Sequence, residues 1–125
     1  MNPLPPLTTD TLWAILNDQL DDYTANRLVW ETLGYRYDPE CDRWLTDDVA
    51  SAWADKYPEP PDFIESRPAT IQLTRAIPAE NKQLLKAYLG FQGYTLDQLV
   101  PRLTRRATMT NWLLSVMQQR GLLTP

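Results

Sequence analysis

The sequence predicts a mainly α-helical fold, an irregular bundle of five or six helices with one small β-hairpin. Apolar residues recur three and four positions apart in several segments, which is typical of amphipathic helices. A single run of alternating aromatic residues around an Asp-Pro dipeptide supplies the hairpin. The length of 125 residues, with 43% hydrophobic and 22% charged side chains, fits one globular domain. We expect a flexible, Pro-rich lead-in over residues 1–7 and a single helical domain over residues 8–125.

The first two helices are predicted to begin near Thr9 or Asp10 and near Asp21 or Asp22, since these residue types cap helix N-termini. Gly34 is a plausible stop for the second helix. The apolar positions that define the buried sides are Leu12, Trp13, Ile15, Leu16 and Leu20 in the first helix and Ala25, Leu28, Val29 and Leu33 in the second.

The hairpin is predicted over residues 35–44, and a third helix follows it. Thr46 or Asp47 is expected to cap this helix, and Pro58 to end it. Residues 58–68 hold four prolines, which predicts an extended segment packed on the surface by Phe63 and Ile64.

Residues 69–77 fit two structures. Ile71, Leu73 and Ile77 alternate with polar residues, as in a strand, whereas Pro68 suits the first position of a short helix. We favour the helix, because a strand here has few partners. Beyond it we expect a helix from Pro78 to Gly90, a short helix capped by Thr95, and a last helix that starts near Thr104 or Thr108 and ends at Gly121.

The net charge of −4 is unevenly distributed along the chain. Residues 1–65 carry 14 acidic and 4 basic side chains, a net charge of −10, whereas residues 66–125 carry 2 acidic and 8 basic ones, a net charge of +6. This split indicates either a basic binding surface or two halves of one domain that attract each other. We favour the second.

The compartment is predicted to be the cytoplasm. The single cysteine cannot form an intramolecular disulfide, the first residues lack the charge and apolar run of a secretory signal, and no stretch is long and apolar enough for a membrane span.

Catalysis is not expected. The chain has no histidine, which excludes histidine-dependent triads and histidine metal sites. Cys41 lies between Glu40 and Asp42, whose charges disfavour a thiolate. The acidic residues lack the spacing of a calcium loop, and no Gly-rich phosphate loop occurs, so we predict no catalytic residue, no metal and no cofactor. An enzyme that works with carboxylates or tyrosines alone is the least favoured alternative.

A basic segment is the most suggestive feature. Arg102, Arg105 and Arg106 lie at a predicted helix entrance, and Arg75 and Lys82 extend the same patch. The planar guanidinium group of arginine binds carboxylates and phosphates through paired hydrogen bonds. Our leading hypothesis is a non-enzymatic protein-interaction or regulatory/assembly module that uses this patch to bind an acidic protein partner. Internal ion pairs between these arginines and the acidic half are the competing interpretation. Nucleic-acid binding is the alternative, because residues 80–117 loosely resemble a helix-turn-helix, although the acidic net charge weakens it.

The hairpin offers a second candidate surface, made of Tyr35, Tyr37 and Trp44. Aromatic side chains at helical spacing belong to a core more often than to a ligand site, but a small hairpin exposes one face, and interfaces favour aromatic residues.

Several segments resemble an uncharacterised protein family found in cyanobacteria, with relatives in plastid-bearing plants. The resemblance covers nearly the whole chain and is carried by residues 28–30, 33–38, 57–64, 80–86 and 104–108. It implies a cytoplasmic cyanobacterial protein and supplies no catalytic residue, cofactor or partner. The sequence leaves the oligomeric state open.

Overall fold

The structure, a computed structural model, describes residues 3–123 and contains six α-helices and one antiparallel hairpin within them. The helices are α1 (Thr9–Leu16), α2 (Asp22–Leu33), α3 (Ser51–Ala54), α4 (Arg67–Arg75), α5 (Leu84–Ala87) and α6 (Pro101–Gln119). The strands are β1 (Arg36–Asp38) and β2 (Arg43–Leu45), and single 3₁₀ turns lie at Ala79–Asn81 and Leu96–Gln98. The predicted fold class is confirmed.

Helix α6 is the central element of the bundle. It packs against α1, α2, α4 and α5 and places Met109, Leu113, Leu114 and Met117 in the core. It begins at Pro101 rather than at the predicted Thr104 or Thr108, because proline suits the first helical turn, where its missing N–H is not needed.

Local signals set the bounds of α2 and the hairpin, as predicted. The Asp21 side chain accepts a hydrogen bond from the Thr24 amide and caps α2. Gly34 ends α2 with φ +114°, and a Cβ there would lie 2.3 Å from the Asp48 carbonyl oxygen, so this position requires glycine. Tyr37 then pairs with Trp44 across the hairpin.

The proline-rich segment over residues 58–68 is anchored in the core, which corrects the prediction of surface packing. Phe63 and Ile64 are buried. The Asn26 side chain accepts a hydrogen bond from the Phe63 amide (3.0 Å) and donates one to Asp62 (3.0 Å). The indole of Trp30 donates to the Pro61 carbonyl. Polar groups of α2 therefore hold an irregular segment, with bends at residues 58–59 and a turn at residues 63–65, rather than the extended segment predicted.

Residues 69–77 are helical for most of their length, as favoured, with the Ser66 side chain capping α4. The cap predicted for the third helix is wrong, because Ala50 holds that position without a side-chain bond. The single helix predicted from Pro78 to Gly90 is also wrong. The chain there forms a 3₁₀ turn and the short α5, and the buried Asn81 side chain turns inward to donate to Ser115 in α6.

The lead-in has no helix or strand over residues 3–7, but Leu4 and Leu7 pack against the core and the Thr11 hydroxyl donates to the Pro6 carbonyl (2.7 Å). Residues 1 and 2 of the lead-in and the last two residues of the predicted domain lie outside the described residues. Among residues 3–123, no helix has the length and apolar character needed to cross a bilayer.

Candidate functional site

Two arginines of the predicted basic patch pair with aspartates of the same chain. Arg102 forms a bidentate pair with Asp18, at 2.7 and 2.9 Å, and its Nε donates to Asp22 (3.1 Å). Arg106 donates to the same Asp22 (2.8 Å). We call these four residues the arginine clamp. It joins the first turns of α6 to the turn between α1 and α2, so the attraction between acidic and basic halves is real at this point.

Arg106 is fully buried, with no exposed surface, and cannot belong to an accessible patch. Its guanidinium also donates to the carbonyls of Ile15 (3.1 and 3.2 Å) and Leu20. A buried charge of this kind is tolerated because one carboxylate and two carbonyls replace its water. The prediction of Arg106 as a surface binding residue is therefore corrected.

The clamp also holds an unusual backbone. Asp18 has φ +58°, a left-handed conformation that aspartate adopts more readily than most residues. The hydrogen bond from Arg102 lowers the pKa of the Asp18 carboxyl, and the same pairing raises the pKa of Arg102. Both shifts favour the ionised forms of Asp18 and Arg102.

The other three residues of the predicted patch lie in different surroundings. Arg105 donates to the Ile64 carbonyl (2.6 Å), and the Lys82 ammonium donates to the Thr74 carbonyl (3.0 Å) at the end of α4. Arg75 is exposed on α4. The five residues predicted as one patch thus separate into two clamp residues (Arg102 and Arg106), two residues that donate to backbone carbonyls (Arg105 and Lys82) and Arg75.

Arg75 belongs to a groove of about 530 Å³ along α4 that sequence analysis did not find. We call it the basic groove, and its lining residues are Lys56, Arg67, Pro68, Ile71, Gln72 and Arg75. Residues 67, 71 and 75 recur at intervals of four and so share one side of the helix. This spacing was the available signal, but the ambiguity between helix and strand over residues 69–77 concealed it.

The basic groove carries three cations and no anion. None of the described residues that line it is acidic, and Lys56, Arg67 and Arg75 form no ion pair within residues 3–123. Ile71, 37% exposed, lies between the two arginines on the helix surface. Gln72 donates to the Ala52 carbonyl (3.0 Å), which links the two helices beside the groove. The groove can accept carboxylates or phosphates at its cations, beside an apolar strip formed by Pro68 and Ile71.

The three residues of the predicted aromatic surface differ in how deeply they are buried. Tyr35 is a core residue: it is fully buried, its hydroxyl donates to the Tyr57 carbonyl (2.7 Å), and burial raises its pKa to about 12. Its inclusion in a contact surface is corrected. Tyr37 and Trp44 are half-buried and pack edge to face, with centroids 5.6 Å apart. A hydrogen bond to Asp42 raises the pKa of Tyr37.

Trp44 opens onto a second groove of about 650 Å³, between β2 and the proline-rich segment. We call it the aromatic groove. The rings of Tyr23, Trp30 and Trp44 line it together with the carboxylates of Asp42, Asp47 and Glu59, and the remaining lining residues are Arg43, Leu45, Thr46, Pro58 and Pro60.

The single cysteine and the possible metal ligands can be located among the described residues. Cys41 is exposed, and hydrogen bonding and charge from Asp38 raise the pKa of its thiol, so the thiolate is disfavoured. Within residues 3–123, no three His, Cys, Asp or Glu side chains lie close enough together to hold a metal ion.

Comparison with known proteins places the chain in an uncharacterised family, as predicted. Residues 6–118 match the family described as a domain of unknown function (DUF1823). A protein whose solution NMR structure is known is 57% identical, and the match covers 97% of this chain and 99% of the other, with a TM-score of 0.83. No curated protein matches the sequence.

Proposed function

Because the chain belongs to the DUF1823 family, for which membership supplies no activity, we propose from its surface that it is a non-enzymatic protein-interaction module. It binds an acidic segment of a partner protein in the basic groove. The observation that carries this proposal is the convergence of Lys56, Arg67 and Arg75 around Ile71 without a carboxylate in the lining.

The cations of this groove differ from the other predicted patch residues in what they contact. Arg102 and Arg106 are paired with aspartates, and Arg105 and Lys82 donate to backbone carbonyls. Three like charges side by side repel one another, and an external anion relieves that repulsion. A bound carboxylate therefore gains more here than at a cation that already has a partner.

The apolar strip favours a protein over a nucleic acid. Ile71 and Pro68 offer apolar contact to a side chain, whereas a phosphate backbone needs many cations. Nucleic-acid binding, a histidine-independent activity, the cytoplasmic location and the cyanobacterial lineage stay predictions.

Charge reversal in the groove tests the proposal. The probe is a fluorescently labelled peptide in which several glutamates flank one leucine. We expect Arg67→Glu with Arg75→Glu to weaken binding by tenfold or more, since about 1.4 kcal/mol corresponds to tenfold and two charge-assisted contacts are lost. The matched control is Lys86→Glu with Arg120→Glu, which makes the same charge change at exposed residues outside the groove.

Two results would overturn the proposal. Equal weakening by both double variants would show that net charge, not the groove, attracts the peptide. Tighter binding of a duplex oligonucleotide than of the acidic peptide, with a steep loss of affinity on adding salt and loss in the groove variant, would assign the groove to nucleic acid instead.

A further inference from the structure

We propose that the aromatic groove is a second binding site, and that it takes an arginine side chain from an extended segment of a partner polypeptide. The site is separate from the basic groove: the two share no lining residue, and their charges are opposite. The two proposals can therefore be tested independently of each other.

Aromatic rings form one wall of the groove. The centroids of Tyr23 and Trp30 are 5.7 Å apart, and those of Trp30 and Trp44 are 5.4 Å apart, in both cases edge to face. Tyr23 is 49% exposed, and Trp44 is half-buried, so aromatic surface is accessible. A guanidinium over such rings is held by the quadrupole of the ring and by stacking.

Contacts behind this wall fix the rings before any ligand arrives. The Trp30 indole donates to the Pro61 carbonyl (2.6 Å), and Trp44 is held between the rings of Trp30 and Tyr37. Pro58 and Pro60, each with a restricted backbone, also line the groove. A preorganised wall lowers the entropy cost of binding.

The charge of the lining specifies a cation. Asp42, Asp47 and Glu59 contribute three negative charges against the single positive charge of Arg43, and none of the four forms an ion pair within residues 3–123. The groove also lies within the acidic half of the sequence, whose field concentrates cations.

Arginine fits better than lysine for two reasons. Its planar guanidinium stacks on aromatic rings and binds carboxylates through two parallel hydrogen bonds. The volume of about 650 Å³ is large enough for a long side chain with its flanking backbone. Carboxylates and aromatic rings in one groove match both properties of the guanidinium.

The experiment compares short extended peptides that carry one arginine, one lysine or one citrulline at the same position. Citrulline has nearly the shape of arginine but no charge. Binding is followed through the indole N–H resonances of the protein. We expect the arginine peptide to bind about tenfold more tightly than the citrulline peptide and to shift the Trp44 indole resonance. Equal binding of arginine and citrulline peptides would overturn the proposal, and tighter binding of lysine would overturn the choice of arginine.

Conservative variants locate the site. The double variant Asp47→Asn with Glu59→Gln neutralises two exposed carboxylates of the lining. It should lower the affinity for the arginine peptide about tenfold. Asp55→Asn with Glu65→Gln changes the same charge at exposed residues outside the groove and should leave affinity within about twofold. Equal losses in both would contradict a groove site. Self-association of the protein that disappears in the groove variants would instead identify a second copy of this chain as the occupant.

Discussion

The arginines of the arginine clamp and those of the basic groove differ in the groups that they contact. In the clamp, Arg102 and Arg106 replace water with carboxylates and carbonyls of the same chain. In the basic groove, Arg67 and Arg75 share a helix surface with no carboxylate in the lining. The difference teaches that the role of an arginine depends on what the fold places opposite it. A basic cluster in a sequence therefore indicates a binding surface only after its internal partners are known.

The largest contrast is expected when one arginine from each region is replaced by methionine. Arg106→Met removes a buried guanidinium, so the Leu20 carbonyl loses its arginine donor and the Ile15 carbonyl keeps its bond from the Asp18 amide (3.3 Å). We expect it to lower the free energy of unfolding by about 3 kcal/mol, toward the low end for a broken buried pair because Asp22 remains partly hydrated. Arg75→Met should change that free energy by less than about 0.5 kcal/mol.

Urea unfolding followed by circular dichroism measures both variants. If the two replacements cost the same, the clamp does not stabilise the fold and the contrast drawn here is wrong. An unchanged slope of free energy against urea would show that only stability has changed, not the compactness of either state.

A smaller effect is expected from Asp18→Asn. Asparagine tolerates the left-handed backbone at this position, so the variant isolates the charge of the bidentate pair with Arg102. Because both side chains are more than two-fifths exposed, we expect a loss of only about 1 kcal/mol. Asp55→Asn is the control, and a loss there as large as at Asp18 would mean that the effect comes from overall charge.

Sequence analysis predicts several elements whose signals are local, although the cap predicted for the third helix is wrong. The caps at Asp21 and Gly34 and the aromatic hairpin depend on residues within a few positions, and all three are confirmed. The helix predicted from Pro78 to Gly90 is interrupted where the buried Asn81 side chain donates a hydrogen bond to Ser115, 34 residues away. Local propensity contains no information about such a partner.

The candidate site is predictable only in part, for the same reason. The clamp joins residues that lie 80 or more positions apart in the sequence. The uneven charge distribution therefore predicts an attraction between the two halves, but it does not indicate which arginine is buried. One signal was available: Arg106 precedes Met109 and Leu113 by three and seven positions, which places it on the buried side of α6. The aromatic groove needs Tyr23, Trp44 and Glu59 from three separate segments, and no spacing in the sequence relates them.

The smallest expected effect is a difference between the clamp and the basic groove in how the free energy of unfolding depends on pH. Arg102 lowers the pKa of Asp18 below its ordinary value of 3.8, so between the folded-state pKa and 3.8 the unfolded chain binds more protons than the folded one. This stabilisation is fully present above the unfolded-state value and is lost as pH falls through the folded-state pKa. Free energies of unfolding measured in that acidic range should therefore rise with pH less steeply in Asp18→Asn than in the unaltered protein. Arg75→Met should keep the original slope, because no carboxylate in the basic groove titrates with it. A flattened slope in Arg75→Met would reveal a carboxylate paired with Arg75 in solution and remove the distinction between the clamp and the groove.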